Sequence, residues 1–341
     1  MKKTGKLGEL KPQRIAILRA LQLGDLICSV PAFRALRKAL PNTQITLVGL
    51  PWARSFVKRF QHYFDDFIEF PGFPGFPEQP LQVQRIPPFL SEMQAQRFDL
   101  ALQMQGSGAI SNPLVELFGA HRCAGFYLPG QYHPDVDLFV PYPVHISEVE
   151  RHLQLMEFLG VTKQGDHKEF PLYQPDWDEF HTLSHEYDLE TGSYAVIHPG
   201  ARSIDRRWPT AWFAAVADGL AQRGLRVILT GTSDESHIVA AVISQMRAPA
   251  TDLSGMTTLG SLAILLNNSR LLVSNDTGVS HVADALQIPS VVMFTASEPK
   301  RWAPHDQILH RIIAWGSSTL PDVVLDELDE LLKEERVYVT A

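Results

Sequence analysis

The sequence alternates short apolar runs with segments whose apolar residues recur at helical spacing, and this alternation occurs twice. The first series contains RIAILRA and ITLVGL, with a helical segment between them that ends at Pro41. The second series contains SYAVIHPGA, LRVILTG, LLVSN and SVVMFT, again separated by segments of helical period. Short apolar strands joined by helices form parallel sheets with helices on both faces. The sequence therefore predicts an α/β fold with two Rossmann-like domains facing across a cleft.

Polar and proline-rich stretches divide the chain. We place a linker at the polar residues 173–190, between an N-terminal domain (1–172) and a C-terminal domain (191–318). Residues 319–341 are predicted to form a C-terminal helix and tail. The stretch FPGFPGFPEQPLQVQRIPPF, within residues 70–90, is too rich in Gly and Pro for a regular helix or a central strand. It predicts a long surface loop.

The bulk composition indicates a soluble globular protein. Of the 341 residues, 45% are hydrophobic and 20% are charged, and no apolar run approaches the roughly 18 residues of a membrane-spanning helix. The N-terminus lacks the continuous apolar region of a secretory signal peptide. The two cysteines, Cys28 and Cys123, lie in apolar contexts and are expected to be buried thiols. Together these features favour a cytoplasmic location.

The net charge of −8 is unevenly distributed along the chain. Residues 1–60 contain twelve Lys or Arg and two acidic residues, whereas the other 281 residues contain 18 basic and 36 acidic ones. This basic block is either an ordinary solvated surface or a surface for an anionic partner: membrane headgroups, a phosphorylated glycolipid or nucleic acid. Because no helix-turn-helix, zinc-finger or RNP pattern is present, we expect no nucleic-acid partner.

The stretch VSNDTGVSHVADAL (273–286) places Asp276, Thr277 and Gly278 where a strand ends and a helix begins. A helix start presents unpaired N–H groups and the positive end of the helix dipole, which suits phosphate. Thr277 can cap the helix, and His281, one turn in, can donate to a phosphate oxygen or simply pack. A phosphate site and a plain helix start remain equal alternatives.

Two further strand ends carry candidate ligands. HPGARSIDRRWP (198–209) places Gly200, Ser203 and several arginines, Arg206 among them, in one loop before a helix, which suits a diphosphate. Exposed loop arginines are the alternative. In TGTSDES (230–236), Glu235 or Asp234 could bind ribose hydroxyls or could cap a helix. Two phosphate-like corners in one domain favour a nucleotide diphosphate more than either does alone.

Asp25 is the candidate for acid–base chemistry. It follows the first strand in ALQLGDLICSVPAF, where it would face the cleft as a general base or would cap its helix. The chain contains no G-x-G-x-x-G after a strand, no P-loop, no G-x-S-x-G and no H-E-x-x-H. No cofactor and no metal site are therefore predicted.

These stretches, in this order, resemble glycosyltransferase family 9, the bacterial lipopolysaccharide heptosyltransferases. The resemblance spans roughly residues 14–305. It rests on Leu23-Gly24-Asp25 with Pro31-Ala32, on Gln105-Gly106, on His198 to Ala201 with Arg206-Arg207 before Trp208-Pro209, on Thr230-Gly231 followed by Glu235, and on Asn275 to His281.

The resemblance implies a GT-B fold, with the acceptor on the N-terminal domain and a nucleotide-diphosphate sugar on the C-terminal one. It implies inverting, metal-independent transfer of a heptose-like sugar, with ADP-heptose as the donor and a lipopolysaccharide or related anionic glycan or glycolipid as the acceptor. Asp25 would be the base, and Arg206, where relatives usually have lysine, would stabilise the leaving phosphate. The implied donor ligands are His198, Gly200, Ser203, Glu235, Asp276, Thr277, Gly278 and His281, and the implied acceptor ligands are Gln105 and Gly106.

Two other functions fit the same sequence features. A GT-B-fold sugar-nucleotide epimerase or hydrolase would bind the same donor without an acceptor. A non-catalytic nucleotide-sugar-binding protein would use Asp25 only as a helix cap. The basic block suits peripheral contact with the inner membrane from the cytoplasmic side.

Overall fold

The computed structural model describes residues 6–315 and 320–333. Contacts divide the chain into two compact units, Met1–His167 (unit 1) and Lys168–Ala341 (unit 2). Each unit contains a six-stranded sheet, and every strand pair is parallel.

Unit 1 has the strand order of a dinucleotide-type Rossmann sheet. Its strands are β1 (Arg14–Leu18), β2 (Gln44–Gly49), β3 (Asp66–Glu69), β4 (Leu100–Gln103), β5 (Arg122–Tyr127) and β6 (Phe139–Pro141). Its helices are α1 (Lys6–Leu10), α2 (Leu23–Ile27), α3 (Val30–Ala39), α4 (Ala53–Arg59), α5 (Ile86–Ala95), α6 (Ser111–Glu116) and α7 (Glu148–Phe158). The order β3-β2-β1-β4-β5-β6 reverses between β1 and β4, where such sheets bind ligands.

Unit 2 repeats this order. Its strands are β7 (Tyr194–His198), β8 (Arg226–Leu229), β9 (Thr251–Asp252), β10 (Leu272–Asn275), β11 (Ser290–Phe294) and β12 (His310–Ala314). Its helices are α8 (Gln174–Tyr187), α9 (Thr210–Gln222), α10 (Ser236–Ile243), α11 (Leu259–Asn268), α12 (Gly278–Ala285), α13 (Pro299–Trp302) and α14 (Pro321–Lys333). The order β12-β11-β10-β7-β8-β9 reverses between β7 and β10. The predicted α/β fold with two Rossmann-like units is confirmed.

The central strands are buried on both faces, which explains their continuous apolar sequences. Ile15 to Leu18 in β1 and Tyr194 to Ile197 in β7 are each 0% exposed. Strands covered by helices on both sides lack the alternation of a half-exposed sheet. Cys28 and Cys123 are buried thiols, as predicted. Among the described helices, none is long and apolar enough to cross a membrane.

The stretch that the sequence assigns to a linker contains helix α8, which belongs to unit 2. Its polar residues hide a stripe at helical spacing, because Trp177, Phe180 and Leu183 are all buried. The helix packs on α11, and the Thr258 hydroxyl before α11 donates to Glu179 Oε2 at 2.5 Å. The contact boundary between the units therefore falls earlier, between His167 and Lys168.

The Gly- and Pro-rich stretch is only partly a loop. A short 3-10 helix, Val83–Arg85, leads into α5, whose second and third residues are both proline. Proline is tolerated there because the first turn has no intrahelical N–H bonds to lose. At the C-terminus, α14 lies within the predicted residues 319–341, while residues 334–341 of the predicted tail lie outside the described residues.

Candidate functional site

The candidate site in unit 2 lies where the paired strands β7 and β10 end side by side, and we call this place the corner. Asn275, the last residue of β10, is 0% exposed, and its side chain binds the loop between β7 and α9. Its Nδ2 donates to the carbonyl of Pro199 at 2.8 Å, and its Oδ1 accepts from the N–H of Trp208 at 2.9 Å. The side chain thus fixes both ends of the His198–Pro209 loop against the end of β10.

Gly200 and Glu235 fit closely together in this corner. A Cβ atom on Gly200 would lie 2.4 Å from both Cδ and Oε1 of Glu235, so only glycine leaves room for the carboxylate. Glu235 Oε2 accepts from the N–H and the hydroxyl of Thr232, each at 2.9 Å. This reciprocal capping box fixes the carboxylate, so the capping alternative for Glu235 is observed.

His198 lies beside the same carboxylate as a buried, neutral ring. Its Nδ1 is 3.1 Å from the Thr230 hydroxyl, and its Nε2 is 3.9 Å from Glu235 Oε2. Burial lowers the pKa of His198 below its ordinary value, against an opposing effect of Glu235. The ring therefore enters the corner as a hydrogen-bonding group rather than as a cation.

Arg206 and Asp276 bring opposite charges to the corner. Arg206 ends a 3-10 helix with 41% of its side chain exposed, and its Nη1 lies 3.8 Å from Oδ2 of Asp276. Asp276 is only 3% exposed, and burial raises its pKa, against the lowering effects of its neighbours, Arg206 among them. Ser203, in the same loop, is exposed and donates its hydroxyl hydrogen bond to Asp205.

The start of α12 presents backbone N–H groups that a bound anion could accept from. Thr277 occupies the N-cap position in an extended conformation, but its side chain makes no capping hydrogen bond. The capping that the sequence suggested for Thr277 is therefore not found, and its hydroxyl is not used by the helix. The first turn of a helix leaves N–H groups without intrahelical partners, beginning here with Gly278.

His281 closes the corner from one turn inside α12. It is 4% exposed, and its Nε2 lies 3.9 Å from Asp276 Oδ1. Its Nδ1 is 3.1 Å from Nζ of Lys168, a residue 113 positions earlier in the chain. The ring also meets the Trp302 ring edge-on, with centroids 6.2 Å apart.

Asp25 lies in unit 1, in the helix that follows β1 at the reversal point of the sheet. It is the third residue of α2, and Gln22 holds the N-cap position, so the interpretation of Asp25 as an N-cap is wrong. Its side chain is 21% exposed. The fully buried Arg19 donates from Nη2 and Nε to the Asp25 carbonyl at 2.7 and 3.1 Å, and its Nη2 lies 4.0 Å from Asp25 Oδ1.

Gln105 and Gly106 follow β4 on the other side of the same reversal point. Gln105 is 6% exposed, and its Oε1 accepts from the N–H of Ala20 at 2.7 Å. The side chain thereby holds the loop that leads to Asp25. Gly106 is exposed, and no heavy atom lies within 4 Å of an added Cβ. Glycine is favoured here because its φ of 60° is in the left-handed range.

Comparison with known proteins gives the family. The model of Glycosyltransferase family 9 (heptosyltransferase) matches residues 88–329, well over half of the chain. The chain belongs to glycosyltransferase family 9. This transferase is 25% identical to lipopolysaccharide heptosyltransferase 2 of Salmonella typhimurium, over 95% of this chain and 100% of that protein.

Solved structures share the fold of the transferase. A glycosyltransferase family 9 protein of Veillonella parvula aligns with a TM-score of 0.77 at 20% identity, over 95% of this chain and 98% of that one. The ADP-heptose lipopolysaccharide heptosyltransferase II of E. coli aligns with a TM-score of 0.72 at 22% identity, over 94% and 98% of the two chains. The predicted GT-B class is thereby confirmed at the level of the fold.

The transferase brings most of the predicted donor ligands together in unit 2. The contacts above connect His198, Gly200 and Glu235 as one group and Arg206, Asp276 and His281 as another. Thr277 and Gly278 adjoin the second group along the chain. Among the described residues, no cluster of three or more His, Cys, Asp or Glu side chains is arranged to hold a metal ion.

Two cations of the site have no signal in the sequence. Lys168 lies in a stretch without a motif, and Arg19 ends an apolar run that reads as a strand. Both are buried: Lys168 contacts His281, 113 positions later in the chain, and Arg19 contacts Asp25, six positions later. Only their three-dimensional contacts reveal them.

The basic block of residues 1–60 is partly used inside unit 1. Arg19 is buried, Arg14 donates to the carbonyl of Gln96, and Arg37 pairs with Asp65 at 2.5 Å. These cations stabilise the unit itself, so the surface charge is smaller than the sequence suggests.

Proposed function

We propose that the transferase is an inverting, metal-independent enzyme that moves a heptose-like sugar from ADP-heptose to a lipopolysaccharide or related surface glycan. The observation that carries the proposal is the corner of unit 2, where Arg206, Asp276 and the start of α12 meet. Two similar proteins named above, a lipopolysaccharide heptosyltransferase and an ADP-heptose heptosyltransferase, support the donor and the acceptor class.

The corner suits the diphosphate of a nucleotide-sugar donor. When the bond to the sugar breaks, negative charge grows on the leaving nucleoside diphosphate and must be stabilised. Arg206 offers a half-exposed guanidinium, and Thr277 and Gly278 offer a hydroxyl and a helix N-terminus. These groups can take the part that a divalent cation plays in metal-dependent transferases.

Asp276 then holds the donor site in place rather than contacting the phosphates. A buried carboxylate next to a diphosphate would repel it, but the carboxyl of Asp276 lies between Arg206 and His281. Burial raises the pKa of Asp276, against the lowering effect of Arg206. In this proposal Glu235 binds the ribose through the carboxylate that its capping box orients, with His198 and Gly200 shaping the pocket, and Ser203 contacts the donor from the loop.

Asp25 is proposed as the general base. In an inverting displacement, one base removes the proton from the acceptor hydroxyl as it attacks the sugar. Asp25 is partly exposed, so an acceptor can reach its carboxylate, and Arg19 holds its backbone carbonyl. Gln105 and Gly106 are proposed to line the acceptor site, with Gln105 acting by fixing the loop before Asp25. Peripheral contact with the inner membrane, on the cytoplasmic side, stays a prediction.

The experiment measures nucleotide binding first and transfer second. ADP, UDP, GDP, CMP and NAD are compared by thermal shift and calorimetry; a ligand at about 100 times its dissociation constant stabilises by roughly 2.7 kcal/mol. Selective binding of ADP is expected, followed by ADP release from ADP-heptose that depends on a lipid A–sugar acceptor. Release of ADP without an acceptor would indicate a hydrolase or epimerase, and selective binding of UDP or GDP would replace the proposed donor. No nucleotide binding would indicate another function.

A further inference from the structure

We propose that Lys168 is a positioning residue that holds His281 in the tautomer with its proton on Nε2, so that His281 donates a hydrogen bond at the donor diphosphate. This inference rests on the proposed function for the identity of the ligand. Its structural part concerns only unit 2 and stands on the contacts of two buried side chains, 8% and 4% exposed.

The contact between the two side chains has only one chemical sense. Lys168 Nζ lies 3.1 Å from His281 Nδ1. An ammonium group has three donors and no acceptor, so Nδ1 must accept and carries no proton. In a neutral imidazole the proton then sits on Nε2. That nitrogen is on the side of Asp276, 3.9 Å from Oδ1, and so faces the corner where the phosphates are proposed to bind.

Lys168 is itself held by a second charge. Its Nζ lies 2.6 Å from Oδ2 of Asp284, which is on α12 three residues after His281. Asp284 Oδ1 in turn lies 3.6 Å from Nε2 of His310, and His310 Nδ1 is 2.8 Å from the Ser290 hydroxyl. The ammonium is therefore pinned between Asp284 and His281, and its charge is balanced inside the unit.

The arrangement explains why a histidine can serve at this position. If the proton sat on Nδ1, the lone pair of Nε2 would face the phosphates and would repel their oxygens. A lysine that donates to Nδ1 excludes that tautomer, and the carboxylate of Asp284 offsets part of the lysine's charge. The same logic applies to metal ligands, where the group bonded to one ring nitrogen decides what the other does.

The test combines a tautomer measurement with binding of ADP and adenosine. Nitrogen-15 NMR of histidine-labelled protein distinguishes protonated from unprotonated ring nitrogens, and the His281 signals are assigned by their loss in His281→Gln. We expect Nε2–H in the wild type and a change of tautomer in Lys168→Met. In that variant ADP should bind at least about tenfold more weakly, while adenosine binding is unchanged.

Two further variants guard against misfolding and indirect effects. Lys168→Met alone leaves Asp284 as an uncompensated buried charge, so Lys168→Met with Asp284→Asn removes both charges together and should show the same tautomer and binding changes. Lys163→Met removes a lysine that pairs with Glu150 at 2.9 Å in unit 1, and it should change neither measurement. In a His281→Gln background, Lys168→Met should add little further loss of ADP affinity, because it acts through the ring.

The outcomes separate this inference from the proposed function. A wild type that binds no ADP would contradict the proposed donor, while the tautomer comparison would still decide the role of Lys168. An Nε2–H tautomer that persists in Lys168→Met and in the double variant Lys168→Met with Asp284→Asn would overturn the inference. So would a loss of ADP affinity that is as large in the His281→Gln background as in the wild type, because Lys168 would then act without the ring.

Discussion

Replacing Gly200 by alanine tests how closely the loop after β7 fits Glu235. The three atoms nearest to an added Cβ all belong to the Glu235 carboxylate, two of them at 2.4 Å. To reach an ordinary contact distance the carboxylate must move by about 1 Å, which breaks its two 2.9 Å bonds from Thr232. Each bond contributes about 0.5–1.5 kcal/mol, so we expect the free energy of unfolding of unit 2 to fall by about 1–3 kcal/mol.

The control for this prediction is the same substitution in a Glu235→Ala background. Without the carboxylate the clash is absent, and the φ of Gly200 is outside the left-handed range. Alanine should then be neutral or should stabilise by about 0.4–1 kcal/mol, because it restricts the unfolded chain. The destabilisation by Gly200→Ala should therefore disappear or change sign in the Glu235→Ala background.

The assay is urea unfolding of the four proteins followed by tryptophan fluorescence. Five of the six tryptophans lie in unit 2, so the signal reports mainly on the unit that carries the change. Because proteins with more than one domain need not unfold in a single transition, the transition of unit 2 is fitted on its own. A penalty that persists undiminished in the Glu235→Ala background would refute the reasoning, as would the absence of any penalty in the wild type.

Three other predictions address the site and the core. Asp25→Asn should lower sugar transfer by about 100-fold or more with an unchanged dissociation constant for ADP, because a general base acts on the acceptor; loss of both would contradict that role. Arg206→Ala should weaken ADP by about tenfold or more and leave adenosine unaffected, and equal losses would argue against a phosphate contact. Burial lowers the pKa of His152 to about 4. The unfolded chain therefore binds a proton that the folded unit 1 lacks, and stability should fall by about 3 kcal/mol as the pH drops from about 6.5 toward 4. In unfolding experiments across that range, His152→Gln should reduce the slope by the contribution of His152, and a change at the exposed His121 should not; an unchanged slope in His152→Gln would contradict the assignment.

The sequence predicted the parts of the fold that depend on neighbouring residues. Apolar runs located the central strands because both faces of each strand are buried, and the Asp276–Thr277–Gly278 corner marked the junction of β10 and α12. Helix α8 was obscured because only three of its apolar residues, spaced at i, i+3 and i+6, are buried in an otherwise polar stretch. Its place in unit 2 depends on α11, which lies some 80 positions later.

The sequence also identified most side chains of the candidate site, but it did not predict which hydrogen bonds they make. Glu235 and Thr277 illustrate the difference. Glu235 takes part in a capping box with Thr232, whereas Thr277, which was suggested to cap α12, makes no capping hydrogen bond. Whether a polar side chain caps a helix or remains available to a ligand depends on its rotamer, and spacing along the chain does not determine a rotamer. Lys168 and Arg19 depend on contacts between distant segments, and no local pattern predicts such contacts.

Arg19 and Lys168, the two cations that the sequence did not reveal, both belong to buried ion pairs next to a candidate functional residue. Arg19 lies 3.3 Å from Glu148, and Lys168 lies 2.6 Å from Asp284. Buried pairs are often no more stabilising than well-packed apolar residues of similar volume, because both charges lose their hydration. Stability alone therefore gives little reason to keep them. Each cation also contacts a residue that the proposed chemistry requires: Arg19 binds the backbone carbonyl of Asp25, and Lys168 binds the ring of His281. An apolar replacement would lose this second contact.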